Sequence, residues 1–181
     1  MDLLPCLKPG TLIVSLVPHT RHTPIIPDLI AELALRGPVN VLDGGNCFPA
    51  YHIAQLIRRK SLQVEAISRH IFVQRAFTCY QMVSLLENTA AFGYPHIILD
   101  MLSTFQDDQI NNNEADRLLN ICLSHVERLR LSAPVVVTLE PVILTEKDFL
   151  MQRICEQADE VFTLHSETDP QEKQLSLFQG L

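Results

Sequence analysis

Arg21, His22 and Thr23 stand side by side between an apolar run and the start of a helical pattern. At a helix N-terminus such residues could hold an anion, because first-turn N–H groups lack helical partners and the dipole favours negative charge there. A capped helix with a solvated loop is the plainer reading of the same residues, Thr23 being a good cap and Pro24 a good first-turn residue. Three carboxylates, Asp43, Asp100 and Glu140, each follow an apolar run. A carboxylate at a strand end can face a ligand. For Asp100 the plainer role is to accept backbone N–H bonds.

Other chemistry finds less support. The five cysteines (Cys6, Cys47, Cys79, Cys122, Cys155) are odd in number, scattered and never spaced CxxC, which suits reduced and mostly buried thiols rather than disulfides or zinc. The seven histidines show no HExxH, so no metal site is expected. Net charge is −7, against the basic surface with which most autonomous nucleic-acid binders neutralise phosphates. The dense basic triplet Arg58-Arg59-Lys60 reads as a solvated helix end complementing the dipole, with single-strand DNA contact as its alternative.

The elements that must position these residues alternate regularly. A length of 181 residues with 47% apolar and 19% charged content suits one globular domain. Strands are expected over residues 12–17, 39–43, 70–74, 96–100, 134–139 and 160–164. Helices are expected from Pro24 to Gly37-Pro38, over 49–59, 79–91, from Asn113 to 131, and over 145–155, with a short one near 62–67. Several strands are continuous apolar runs, the mark of strands buried on both faces. The pattern therefore predicts an α/β protein with a mainly parallel sheet and helices on both faces, and places the loops carrying His22, Asp43, Asp100 and Glu140 on the carboxyl edge, where such sheets bind ligands. Residues 103–112, STFQDDQINN, read as a polar, mobile loop, and 1–165 as the domain, followed by a polar tail over 166–181. No apolar run reaches the roughly 20 residues of a membrane span, and the first ten residues lack a signal-peptide pattern, so a cytoplasmic protein without a membrane partner is expected.

Several strings, in order, resemble the RecA/RadA recombinase core of the P-loop NTPase superfamily. These are Val41-Leu42-Asp43-Gly44-Gly45-Asn46-Cys47-Phe48, Val73-Gln74-Arg75-Ala76-Phe77-Thr78 with Gln81, Ile97-Ile98-Leu99-Asp100 as a Walker B strand, Val135-Val136-Val137-Thr138, and Ala158-Asp159-Glu160-Val161. The resemblance spans roughly residues 11–164 and implies a three-layer RecA-like core. It also implies where chemistry is missing. The glycines and lysine of the phosphate loop GxxxxGK[ST] fall on Leu16, Arg21 and His22, a degenerate Walker A with Cβ atoms where backbone must wrap phosphate. The carboxylate that activates water falls near Gly45, and the γ-phosphate-sensing Gln is Glu140. Asp100, the Mg²⁺-supporting carboxylate, is kept. The two loops that hold DNA in the family fall on 103–112 and on the segment after Glu140, and neither has the basic, glycine-rich character that task needs.

Near the C-terminus, Gln174-Leu175-Ser176-Leu177-Phe178 resembles the bacterial sliding-clamp-binding motif QL[SD]LF at every position. Gln174 would bond at a pocket rim while Leu175, Leu177 and Phe178 act as apolar anchors. Together the two resemblances imply a catalytically inactive accessory protein of bacterial DNA repair, recombination or damage-tolerant replication. It would take no cofactor, dock on the clamp, recruit a recombinase or DNA polymerase subunit, touch DNA only indirectly, and could self-associate. The alternative is a divergent NTPase using Arg21, His22, Thr23 and Asp100 with ATP and Mg²⁺; weaker still is a single-strand DNA binder.

Overall fold

The computed structural model describes residues 4–17, 24–106, 110–141 and 147–163. The strands are β1 (Leu12–Leu16), β2 (Val39–Asp43), β3 (Ile71–Arg75), β4 (His96–Leu99), β5 (Val135–Leu139) and β6 (Glu160–Thr163). The helices are α1 (Ile25–Arg36), α2 (Ala50–Lys60), α3 (Val64–Ser68), α4 (Cys79–Asn88), α5 (Asn112–Arg130) and α6 (Asp148–Gln157). The strands form one sheet in the order β3-β2-β4-β5-β1-β6, with every pairing parallel. The protein is thus of the α/β class, in three layers.

Side-chain alternation and crossover handedness together decide the layers. Ile13, Val39, Val41, Ile97, Leu99 and Val136 form one core with α1–α3, while Leu12, Val14, Leu42, Ile98, Val135 and Val137 form the other with α4–α6. The connections β1→β2→β3 run one way along the sheet and β3→β4→β5→β6 the other. Right-handed crossovers put helices on opposite faces when the direction reverses. Because both faces are covered, β1, β2, β4 and β5 are buried along nearly their whole length and are mostly apolar, with Ser15, Asn40, Asp43, His96 and Thr138 as their buried polar members.

Local chemistry sets the helix ends. Thr78 caps α4 by accepting from Gln81 N–H at 3.2 Å, and Gln81 Oε1 accepts from Phe77 N–H at 2.8 Å, a near-reciprocal capping box. Asn111, two residues earlier than the Asn113 start expected from the sequence, caps α5 by accepting from Glu114 N–H at 2.9 Å. Helix α4 stops at Asn88 rather than running to 91. There Arg128 of α5 reaches across and donates to the Leu86 and Thr89 carbonyls at 2.9 and 2.8 Å, satisfying orphan acceptors at the helix end. The stretch expected to be a mobile loop from Ser103 is in part built into the core. Met101–Phe105 is a 3-10 turn whose Met101, Thr104 and Phe105 are buried, and Ile110 is buried too. Phe105 and Ile110 join the α4–α6 core, which the polar letters around them concealed.

His96 opens β4 with no exposed surface. Its Nδ1 faces Asn40 Nδ2 at 3.3 Å, and its ring lies 6.0 Å from that of Tyr94. Its Nε2 has no hydrogen-bond partner. Burial holds the imidazole pKa below 6.5; the Phe92 backbone opposes this and the Arg128 charge adds to it. Cys122, deep between helices, has its thiol pushed up to about 12 by burial and by neighbouring Cys79.

Two measurements check this account. Arg128→Ala should lower unfolding free energy by about 2 kcal/mol in chemical denaturation, since carbonyls bound by a charged donor lose it. The folded imidazole of His96 takes up its proton at lower pH than its unfolded counterpart, which does so near 6.5. Its contribution to stability is therefore lost as pH falls through that value, and His96→Gln should flatten the stability curve below about pH 7.

Candidate functional site

The reversal of connection direction marks the place to look. After β2 the chain leaves toward β3 and the α2 face; after β4 it leaves toward β5 and the α5 face. These two strands are adjacent, so their carboxyl ends flank a topological switch point, where open α/β sheets bind ligands. A second reversal separates β5 from β1. The ends of β1 and β5 meet there: Leu16 pairs with Leu139, and Val17 N–H donates to the Leu139 carbonyl at 2.8 Å. Leu16, the first glycine position in the phosphate-loop register, also pairs with Thr163 of β6, so its backbone lies inside the ladder.

Asp43 ends β2 with no exposed surface. Its Oδ1 accepts from Cys47 N–H at 3.0 Å and its Oδ2 from Phe48 N–H at 3.1 Å and Arg75 Nε at 3.2 Å. The carboxylate folds the Gly44–Phe48 turn around itself and pins the edge strand β3 through the guanidinium, half of which stays exposed. Asp43 takes the role of a strand-end carboxylate receiving backbone N–H bonds. Arg75 is the partner that sequence reasoning did not single out. Its in-register position opposite Asp43 becomes visible only once the strands are paired.

Asp100 sits in the left-handed region (φ 45°, ψ 56°) and is 8% exposed. Its N–H donates to Thr138 Oγ1 at 2.9 Å, linking β4 to β5, and its carbonyl accepts from Ser103 N–H at 3.2 Å. The neighbouring turn presses on it. Gly44 N–H donates to the Leu99 carbonyl at 2.8 Å, and a Cβ at Gly44 would stand 2.9 Å from the Asp100 carbonyl oxygen. At Gly45 a Cβ would come within 2.5 Å of Asp100 Oδ2 and 2.7 Å of its Cβ. No side chain fits at Gly45 without moving Asp100.

The structure therefore brings Asp43, Gly44, Gly45, Asp100 and Thr138 together. Glu140 follows β5 one strand away, partly buried. Arg21, His22 and Thr23 lie outside the described residues, as do Gln174, Leu175, Ser176, Leu177 and Phe178. Arg58, Arg59 and Lys60 end α2, remote from this site at the opposite edge of the sheet, with Lys60 paired to Glu32. Among the described residues no group of three or more His, Cys, Asp or Glu side chains could hold a metal ion, and no helix is long and apolar enough to cross a membrane. What the fold and this edge define is a class, an all-parallel three-layer α/β protein with its crowded turn at a switch point. No protein-family model and no curated protein matches the chain.

Gly45→Ala should destabilise the fold by roughly 1–3 kcal/mol through overpacking. Asp100→Gly, which clears the side chain and suits the positive φ, should recover part of that loss in the double variant, read as non-additive unfolding free energies.

Proposed function

We propose that the chain is a catalytically inactive RecA-like accessory protein of bacterial DNA repair, recombination or damage-tolerant replication, acting in the cytoplasm. It docks on the sliding clamp through the motif at 174–178 and recruits a second protein, a recombinase or DNA polymerase subunit, with its α/β domain. The observation that carries the inactive half of this reading is the contact of Gly45 with Asp100. At the position where the resembled family carries its water-activating carboxylate, a bare Cβ would already be 2.5 Å from Asp100 Oδ2. Leu16 in the β-ladder supports the same reading, because a backbone paired on both sides is not free to wrap a phosphate. Loss of nucleotide chemistry leaves a rigid scaffold, and the string Gln174-Leu175-Ser176-Leu177-Phe178 supplies an anchor that acts without an active site.

The second reading, a divergent Mg²⁺-dependent NTPase, draws on Asp100, which stands at a switch point beside Thr138. Calorimetry and thermal shift with ATP and Mg²⁺ separate the two readings: heat and stabilisation would favour the NTPase, and silence in both would leave the scaffold.

The clamp claim is tested by surface plasmon resonance of the full chain on a bacterial sliding clamp. Removing two anchors with Leu177→Ala/Phe178→Ala should weaken binding at least about thirtyfold, the scale of a lost hot spot. Equal affinity for both proteins would sink the claim.

A further inference from the structure

The sheet ends at β3 in a strand with little of the usual protection. Edge strands are normally blunted by lysine, proline, a bulge or a cover, because their outward N–H and C=O groups invite pairing. Ile71-Phe72-Val73-Gln74-Arg75 carries none of those side chains, and its single charge is drawn back onto Asp43. Phe72 is 48% exposed and Val73 37%. Phe72 continues into an aromatic row, its ring 6.2 Å from Tyr94, which stacks at 5.1 Å on half-exposed Phe92.

Register shows which backbone groups face outward. Val39 N–H donates to the His70 carbonyl at one end of the β2–β3 ladder, and Ala76 N–H donates to the Asp43 carbonyl at the other. In a parallel ladder alternate residues of a strand bond to one neighbour. Residues 70, 72, 74 and 76 therefore face β2, and the N–H and C=O groups of Ile71, Val73 and Arg75 point away from the sheet. No other described strand lies against them.

We propose that β3 is a homodimer interface: it pairs antiparallel with β3 of a second copy of this chain, about a two-fold axis through Val73, joining the two sheets into one. The three outward residues are centred on Val73. A two-fold axis there lets Val73 exchange both backbone bonds with Val73 of the second copy, and Ile71 with Arg75 of the second copy, so every outward group of the strand is satisfied. Charge selects the same register. Centring the axis on Arg75 would oppose two guanidinium groups, and centring it on Ile71 would leave Val73 and Arg75 beyond the paired strand. With Val73 central, each Arg75 lies over aliphatic Ile71, and Phe72 lies over Gln74 of the second copy on the face that carries the aromatic row. Such an isologous contact closes on itself and removes the edge.

Sedimentation velocity of the full chain across the micromolar range should show a monomer–dimer equilibrium. Val73→Lys and Val73→Glu each put like charges on the axis and should weaken dimerisation at least about tenfold. Mixed in equal amounts the two variants should form a heterodimer at least as tight as the wild type, a rescue that a folding defect in either would not produce. Circular dichroism melts check that both variants fold. A dimer indifferent to both substitutions, or a mixture that stays monomeric, would overturn the proposal. So would a monomeric wild type. Amide exchange at Ile71 and Val73 in that monomer then assigns the edge, protection pointing to cover by another segment of the same chain and rapid exchange to an edge left open.

Discussion

At Gly44 and Gly45 the turn that follows β2 passes Asp100 so closely that neither position has room for a side chain. Gly44 and Gly45 each present a hydrogen where any Cβ would fall within 3 Å of Asp100 atoms. That approach lets Gly44 bond to the Leu99 carbonyl, and it brings the carboxylate of Asp43 under the Cys47 and Phe48 N–H groups. Asp43 in turn holds Arg75 and with it the edge strand. Asp100, held in the left-handed region, connects the same point to Thr138 of β5. The carboxyl ends of β3, β2, β4 and β5 are thus tied through one crowded junction, and close packing there leaves no slack for an added group.

That junction occupies the place where a parallel sheet ordinarily leaves a crevice. Crevices form because connections depart to opposite faces, and those departures are present here. The Gly44–Phe48 turn lies between them. A buried carboxylate whose oxygens are taken by backbone N–H groups and a guanidinium is stabilised where it is. What the sheet exposes at its β3 edge is Phe72, with Tyr94 and Phe92 alongside.

Much of this was legible in the chain's letters. Strands buried on both faces need mostly apolar residues, so β2 was readable to its last residue and β1, β4 and β5 to within one. Helix ends were readable where a side chain caps its own turn, as at Thr78. They were misread where the cap comes from elsewhere. Arg128 is 42 residues from Leu86, and nothing near α4 announces that it will end the helix. The 3-10 turn at Met101–Phe105 was hidden because its burial depends on α4 and β5 and on Lys147, which donates to the Phe105 carbonyl at 2.9 Å. At the site, Asp43 and Asp100 were recognisable as strand ends, but which of them folds a turn and which meets a glycine was not.

The amino-acid sequence by itself determined the class of fold, because period and apolar run length follow from the pitch of helices and strands and from how many faces each must bury. It also determined the glycine pair, the short motif near the C-terminus and the net charge of −7. Only the tertiary structure decided that Gly45 faces Asp100, that Arg75 belongs to Asp43, that His96 is buried with an unsatisfied nitrogen, and that β3 lies at an edge with alternate groups turned outward. Those are relations between residues far apart in the chain. Strand order and register bring them together, and no local pattern encodes which strand will be the last in its sheet.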